Sequence, residues 1–304
     1  MADINFYRNN LGIGSIDDIL KIITDTLIET NYTYDFFVNW SKVTKNRDTY
    51  KYEVALLKSL KNSSQPEADL HNLIIKYPEV VKVIPILLAC RDGVIKVLNS
   101  LETGLSYKNY NFSKIKYTTQ ELDDIVHFTK ASGLLDMLCK MDSATDYLLG
   151  VEVGLDTNAR KNRSGIFLET MVTETLKEIK KQNRDLLIIE QKSFEYVEKN
   201  YSIKIPYSLR DRKFDYVVID KNKALNIEVN FYSGTGSKPS EIVSSYSDRN
   251  RVLMDAGWKL VWLTDGQGWK KMQRPLHTGI ENIDYVINTN LLRRGLLEKI
   301  INLT

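Results

Sequence analysis

One stretch constrains this chain more than any other: KFDYVVIDKNKALNIEVNFYSGTGSKP, residues 213–239. Its first half is β-branched and aromatic, and Ala224–Tyr232 alternates apolar with polar, so the pattern predicts two strands. Lys221-Asn222-Lys223 is a polar connection of hairpin length. Each strand carries a carboxylate among apolar neighbours, Asp215 near the start of the first and Glu228 in the middle of the second. A carboxylate inside a buried strand is costly unless it is paired or holds a cation. With a three-residue connection, Asp215 faces Val229, one position from Glu228. A bulge or a ragged strand start then brings both acids to one side. Hydrolysis of a phosphodiester needs Mg²⁺ on hard oxygen ligands and an activated water, and two such acids suit that ion. The competing reading is a pair of strand-edge acids facing solvent, where charge blocks edge pairing.

Composition narrows the remaining classes. With 304 residues, 43% apolar and 27% charged, the chain can build one large core or two ordinary ones. The net charge is only +3, so any contact with nucleic acid must come from local clusters. Cys90 and Cys139 sit apart in apolar surroundings and read as buried free thiols. Only His71, His127 and His277 accompany them, with no CxxC, which excludes structural zinc and iron–sulfur centres. Neither a signal segment nor a run of about 18 apolar residues occurs, so a cytoplasmic protein without a membrane span is expected. Nucleotide-binding P-loops, Gly-x-Ser-x-Gly elbows and the kinase motifs are all missing.

Along the chain, residues 1–148 read as a helical region. Ser15-Ile16-Asp17-Asp18 opens one helix, Pro66 starts another, and Thr118-Thr119-Gln120-Glu121 caps a third. The pattern changes near Gly150. A periodic helix containing Phe167, Leu168, Val172, Leu176 and Ile179 leads into strand-like runs at 186–190, 214–219, 225–231 and 259–263. A helix over 241–255 precedes the last of these. Residues 149–304 thus form a mixed α/β domain around one sheet.

Two basic segments flank the acids. Leu155–Gly165, LDTNARKNRSG, reads as a loop entering a helix, and it offers Asn158, Arg160, Lys161, Asn162, Arg163 and Ser164 to phosphates or base edges. Glu169 follows as a first-turn acid of that helix, and could aim at the sheet. A glycine-rich loop after Asn230 offers Ser233, Ser237 and Lys238 to a phosphate backbone.

The order of these elements resembles the core of the PD-(D/E)xK nucleases: helix with Glu169, strand, strand with Asp215, strand with Glu228-Val229-Asn230, helix, strand. Gly154–Gly165, Asn226–Glu241 and LTDGQGWKK (Leu263–Lys271) resemble, more narrowly, the DpnII/MboI-type restriction endonucleases that cut at GATC. Tyr77–Asp92 is similar to them too. The resemblance implies a restriction-endonuclease-like fold, a mixed sheet flanked by helices. It implies a Mg²⁺-dependent type II endonuclease making double-strand breaks in GATC-containing duplex DNA, with Asp215 and Glu228 as metal ligands and Glu169 as an auxiliary acid. A palindromic target implies a homodimer, and a cognate adenine methyltransferase as functional partner. The helical region would bind DNA, dimerise, or both.

One position departs from the superfamily pattern. Its lysine, two residues after the second acid, is Asn230 here, which can hydrogen-bond a water but carries no charge. Lys213, on the face of Asp215, or Lys238 could supply the cation. Glu190-Gln191-Lys192 is a literal E-x-K on the preceding strand, but Asp215 precedes Glu228 by one hairpin, which favours Glu228. A module that binds GATC without cutting is the alternative, and Asn230 is its main support.

Overall fold

Side-chain caps written into the sequence start seven of the described α-helices. The computed structural model describes residues 2–100, 106–221, 223–234 and 238–303. Helix α1 (Ile4–Leu11) begins where the Asp3 carboxylate accepts the Phe6 N–H, and stops at Gly12. Helix α2 (Ile16–Asp25) begins at Ser15, whose hydroxyl accepts the Asp18 N–H, as its sequence predicts. These two helices belong with the C-terminal part of the chain. One compact unit comprises Met1–Thr33 and Asn162–Thr304, the other Tyr34–Lys161. This differs from a division at 148/149. The apolar stripe of α2 buries Ile19 and Ile23 in the C-terminal core, and the Tyr7 hydroxyl donates to the Val286 carbonyl at 2.9 Å.

The helical unit contains α3 (Trp40–Thr49), α4 (Lys51–Leu57), α5 (Pro66–Lys76) and α6 (Val83–Leu87), then α7 (Thr119–Ala131), α8 (Leu134–Lys140) and α9 (Ala144–Asp156). Thr118 and Glu121 form the predicted capping box of α7. The unit is not wholly helical, because β1 (Val94–Ser100) and β2 (Ser106–Asn111) form an antiparallel hairpin between α6 and α7. Its outer side chains are exposed, so the alternation that marks a half-buried strand is weak in the sequence. Cys90 and Cys139 are free thiols, and both are half-buried rather than buried.

Helix α10 (Arg160–Gln182) leads into the main sheet. Then follow β3 (Leu187–Glu190), α11 (Phe194–Tyr201), β4 (Tyr216–Asp220), β5 (Lys223–Phe231), α12 (Lys238–Asp255), β6 (Lys259–Asp265), α13 (Gln273–Asn282) and β7 (Tyr285–Ile287). Short helices α14 (Thr289–Arg293) and α15 (Leu296–Ile301) close the chain. The sheet order is β3-β4-β5-β6-β7. The first three strands are antiparallel, and β5, β6 and β7 are parallel because α12 and α13 cross over between them. A mixed sheet with helices on its faces is the expected class. Among the described residues no helix is long and apolar enough to cross a membrane.

The central hairpin is one residue tighter than the sequence suggests. Tyr216 pairs with Ile227 and Asp220 with Lys223, so Lys221 and Asn222 alone connect the strands. Lys221 takes a φ of +54°, the left-handed value that a two-residue hairpin turn needs at its first position.

Candidate active site

That register decides where the acids lie. Carrying the ladder one step beyond Tyr216 and Ile227 sets Asp215 opposite Glu228. Directly opposed residues of an antiparallel pair share a face, so no bulge is required to bring the carboxylates together. The Asp215 Oδ2 accepts the Val229 N–H at 2.8 Å, and its Oδ1 accepts from Gln191 Nε2 at 3.2 Å. Burial raises the Asp215 carboxyl above its usual range, against the pull of the Val229 bond.

Glu228 is 4% exposed. Its Oε1 accepts from Asn226 Nδ2 at 3.0 Å and from the Arg249 guanidinium of α12. Burial pushes Glu228 up to about 7, with Arg249 pulling it down and Asp215 adding to the rise. Arg249 is itself buried, and its guanidinium lies over the rings of Tyr246 (5.3 Å) and Phe194 (5.8 Å). The face of β5 that carries Asn226, Glu228 and Asn230 therefore packs on a polar, positively charged patch of α12.

Asn230 belongs to the same cluster. Its Oδ1 accepts from Trp262 Nε1 at 2.8 Å, and its Nδ2 donates to the Tyr246 hydroxyl at 3.3 Å. Among the described residues, the cation bonded to Glu228 is Arg249, from the next helix and not from a neighbour in sequence. Lys213 is exposed, where its backbone bridges Ser193. Ser237 and the Lys238 side chain lie outside the described residues, and Ser233 is exposed. The rival acid Glu190 is exposed at the end of edge strand β3, and Lys192 lies over the Tyr196 ring at 5.5 Å.

Glu169 reaches the acids from the other direction. It lies inside α10, not in a first turn, because the stretch before it is not a loop. α9 runs to Asp156, a 3₁₀ turn spans Thr157–Ala159, and α10 starts at Arg160. A single glycine such as Gly165 weakens a helix by about 1 kcal/mol without ending it. The Tyr216 hydroxyl of β4 donates to the Glu169 carbonyl and meets Thr173 Oγ1, each at 2.9 Å, which fixes this turn of α10 on the sheet. Burial raises the Glu169 carboxyl, and the charge of Asp215 raises it further. Of the basic residues on this stretch, Arg160 donates to the Phe37 carbonyl at 3.0 Å and Asn158 is exposed. Arg163 is half-buried, and the side chains of Lys161, Asn162 and Ser164 lie outside the described residues.

The segment LTDGQGWKK proves to be scaffold. Asp265 is fully buried and accepts from the N–H groups of Ile28, Gly266 and Thr289. Trp269 is buried and donates from Nε1 to Thr264 Oγ1 at 2.8 Å. Gly266 has a φ of +106°, and a Cβ there would lie 2.3 Å from the Tyr232 carbonyl oxygen. The segment clamps the chain leaving β5, close behind Glu228 and Asn230.

Sequence reasoning misses Arg249, Tyr246, Asn226 and Gln191. For α12 a signal exists. Val243, Tyr246, Arg249, Asn250 and Leu253 are its buried stripe, and an arginine within an apolar stripe needs a buried partner. The other two depend on which residues the fold sets beside the acids. Among the described residues no three His, Cys, Asp or Glu side chains are grouped so as to hold a metal unaided.

The chain matches the family model described as DpnII restriction endonuclease over residues 19–299. It is 35% identical to the type II restriction enzyme MjaIII of Methanocaldococcus jannaschii over 288 residues, 92% of this chain and 98% of that enzyme. It is 31% identical to the type II restriction enzyme DpnII of Streptococcus pneumoniae, over 94% of this chain and 98% of that enzyme. With MboI of Moraxella bovis, also a type II restriction enzyme, the identity is 29% over 94% of this chain and 96% of that one. The match runs across both compact units, and this chain belongs to the DpnII family of type II restriction endonucleases.

Proposed function

We propose that this site-specific deoxyribonuclease cuts both strands of duplex DNA at GATC, by Mg²⁺-dependent hydrolysis, as a cytoplasmic homodimer with one site per strand. The carrying observation is the pairing of Asp215 with Glu228 on one face of the central hairpin, with Arg249 beside Glu228 and Glu169 near enough to feel the charge of Asp215. Two carboxylates offering hard oxygens, with water and phosphate completing the shell, are what Mg²⁺ takes from a protein. Burial raises Asp215, Glu228 and Glu169 together, the charge of Asp215 adds to the rise of the other two, and a divalent cation relieves that repulsion. Asp215 and Glu228 would hold the ion. When bound, Mg²⁺ polarises the phosphate and acidifies a water.

The protein groups divide the remaining work. Glu169, held by Tyr216 through its backbone, accepts a proton from the attacking water. Arg249 favours the ionised form of Glu228 against its burial and supplies the positive charge that Asn230 lacks. Asn230, pinned by Trp262, keeps that face of β5 in place and offers hydrogen bonding without charge.

Digestion of unmethylated DNA, with and without Mg²⁺ and with sequencing of the ends, tests this reading. Cutting confined to GATC and to Mg²⁺-containing samples is expected, with adenine-methylated DNA resistant because an N6-methyl removes a donor and crowds the base edge. Asp215→Ala should lower cutting by about 10³-fold or more while duplex binding stays within a few fold. Normal cutting by that variant would overturn the metal assignment. A second reading has its own support, since Arg249 already occupies the Glu228 carboxylate and Asn230 replaces the lysine. On that reading the protein binds GATC without cutting, and the same digest, inert under all conditions, would establish it.

A further inference from the structure

Helix α3 is held to its unit in an unusual way. Of its ten residues only Val43 is buried. An ordinary surface helix buries a whole apolar stripe. Polar contacts to two buried acids of α9 take that place. The Asn39 N–H, at the helix cap, donates to Asp156 Oδ2 at 3.0 Å, and Lys42 Nζ lies 3.8 Å from Asp156 Oδ1. Asn46 Nδ2 donates to Glu152 Oε2 at 2.8 Å, and Arg91 donates to the same oxygen at 2.5 Å. Glu152 and Asp156 are 1% and 3% exposed. Burying two carboxylates to seat one helix is a costly way to gain stability. What it achieves is orientation, with the outer face of α3 left entirely to solvent.

That outer face has a distinct chemistry. Trp40, Ser41, Thr44, Lys45, Asp48 and Thr49 line one shallow surface. Trp40 is 60% exposed, whereas the other tryptophans, Trp258, Trp262 and Trp269, are 2%, 0% and 0% exposed. From Asn39 to Tyr52 the chain carries Lys42, Lys45, Arg47 and Lys51 against the single acid Asp48. Arg47 grips Asp48 with two contacts, at 2.7 and 2.8 Å, so this carboxylate is held in one orientation.

We propose that α3 is a DNA-reading helix whose outer face enters the major groove of duplex DNA. The inference rests on the reading of the protein as an enzyme of duplex DNA and names an element that recognises it. A helix of this length spans about 15 Å and fits a groove about 12 Å wide. The side chains match what a groove offers. Lysine pairs with guanine or phosphate, hydroxyls with base edges or phosphate, a fixed carboxylate with the cytosine amino group, and an aromatic face with the thymine methyl. The 39–52 segment carries four cations against one acid, and that excess favours DNA over a second copy of the same segment.

The tryptophan distribution supplies the test. In full-length wild-type protein kept in EDTA, so that the DNA stays intact, iodide quenching of tryptophan fluorescence reports Trp40 above the buried three. A saturating GATC duplex, its binding followed independently by anisotropy, should reduce quenching to near the level of Trp40→Phe protein. Trp40→Ala should weaken duplex binding by about tenfold, the scale of one aromatic contact, with an unchanged melting temperature. Lys45→Ala should lower the dependence of log affinity on log salt by about one. Duplex bound normally while Trp40 stays fully open to iodide would overturn this inference and leave the nuclease reading standing. Failure to bind duplex at all would remove both. Protection of Trp40 that tracks protein concentration without DNA would make α3 a contact between copies of the chain, and would also overturn it.

Discussion

Three influences compete over the charge of Glu228. Burial and the nearby Asp215 disfavour ionisation, and Arg249 favours it. The outcome, about 7, lies above the value of about 4.3 for an unfolded glutamate. Between those values the folded protein binds the proton and the unfolded chain does not. The contribution of Glu228 to stability is therefore intact at low pH, falls as pH rises through this window, and levels off above about 7. Glu228→Gln cannot ionise, so the difference in melting temperature between wild type and variant should shift in the variant's favour as pH rises from about 5 to 8. Melts in EDTA across that range check this, and a pH-independent difference would refute it. At the same scale, the arginine that matters was hidden by distance along the chain. Residue 230 is where a cation is sought, and the structure supplies it from residue 249, one helix later.

At the scale of elements, local signals worked where the chemistry is local. Ser15, Pro66 and the Thr118/Glu121 box start helices where their side chains predict, because a cap acts on the next few N–H groups. The signals failed where an element leans on a distant neighbour. The β1–β2 hairpin lacks a buried alternating face, and the 155–165 stretch is basic and polar yet helical. The Asp265–Trp269 clamp stands out in sequence only by its resemblance to the family, and its polar groups are consumed by Ile28, Thr289 and Thr264. Gly266→Ala tests that clamp. A Cβ at a φ of +106°, 2.3 Å from a backbone oxygen, must move the chain after β5. A loss of roughly 2–3 kcal/mol in urea unfolding is expected, with a larger fractional loss of cutting because Asn230 and Glu228 lie just upstream. An unchanged midpoint would show that the clamp yields freely.

At the scale of the whole molecule, the first 33 residues complete the unit that carries the acids. Tyr7 is bonded both ways to Val286, its hydroxyl donating to the carbonyl and accepting the N–H, and Ile28 donates its N–H to Asp265. A fragment of residues 149–304, the division suggested by composition, would expose the surfaces that Phe6, Ile19 and Ile23 cover. It should lack a cooperative melt by circular dichroism. A cooperative transition in the isolated fragment would show that α1 and α2 are dispensable.

The sequence by itself determined the mixed α/β class, the strand that follows Asp215 and the one that bears Glu228, the buried stripe of α10 and the family wording around the acids. Those properties reside in periodicity, capping and residue type, which act within a few positions. Only the tertiary structure decided that Lys221 turns left-handed and sets Asp215 opposite Glu228 without a bulge. It alone brought Arg249 across α12 to Glu228, and gave the first two helices to the C-terminal core. Each of these is a choice of partner. A pattern along the chain tells which face of an element will be covered, and packing between distant segments decides what covers it.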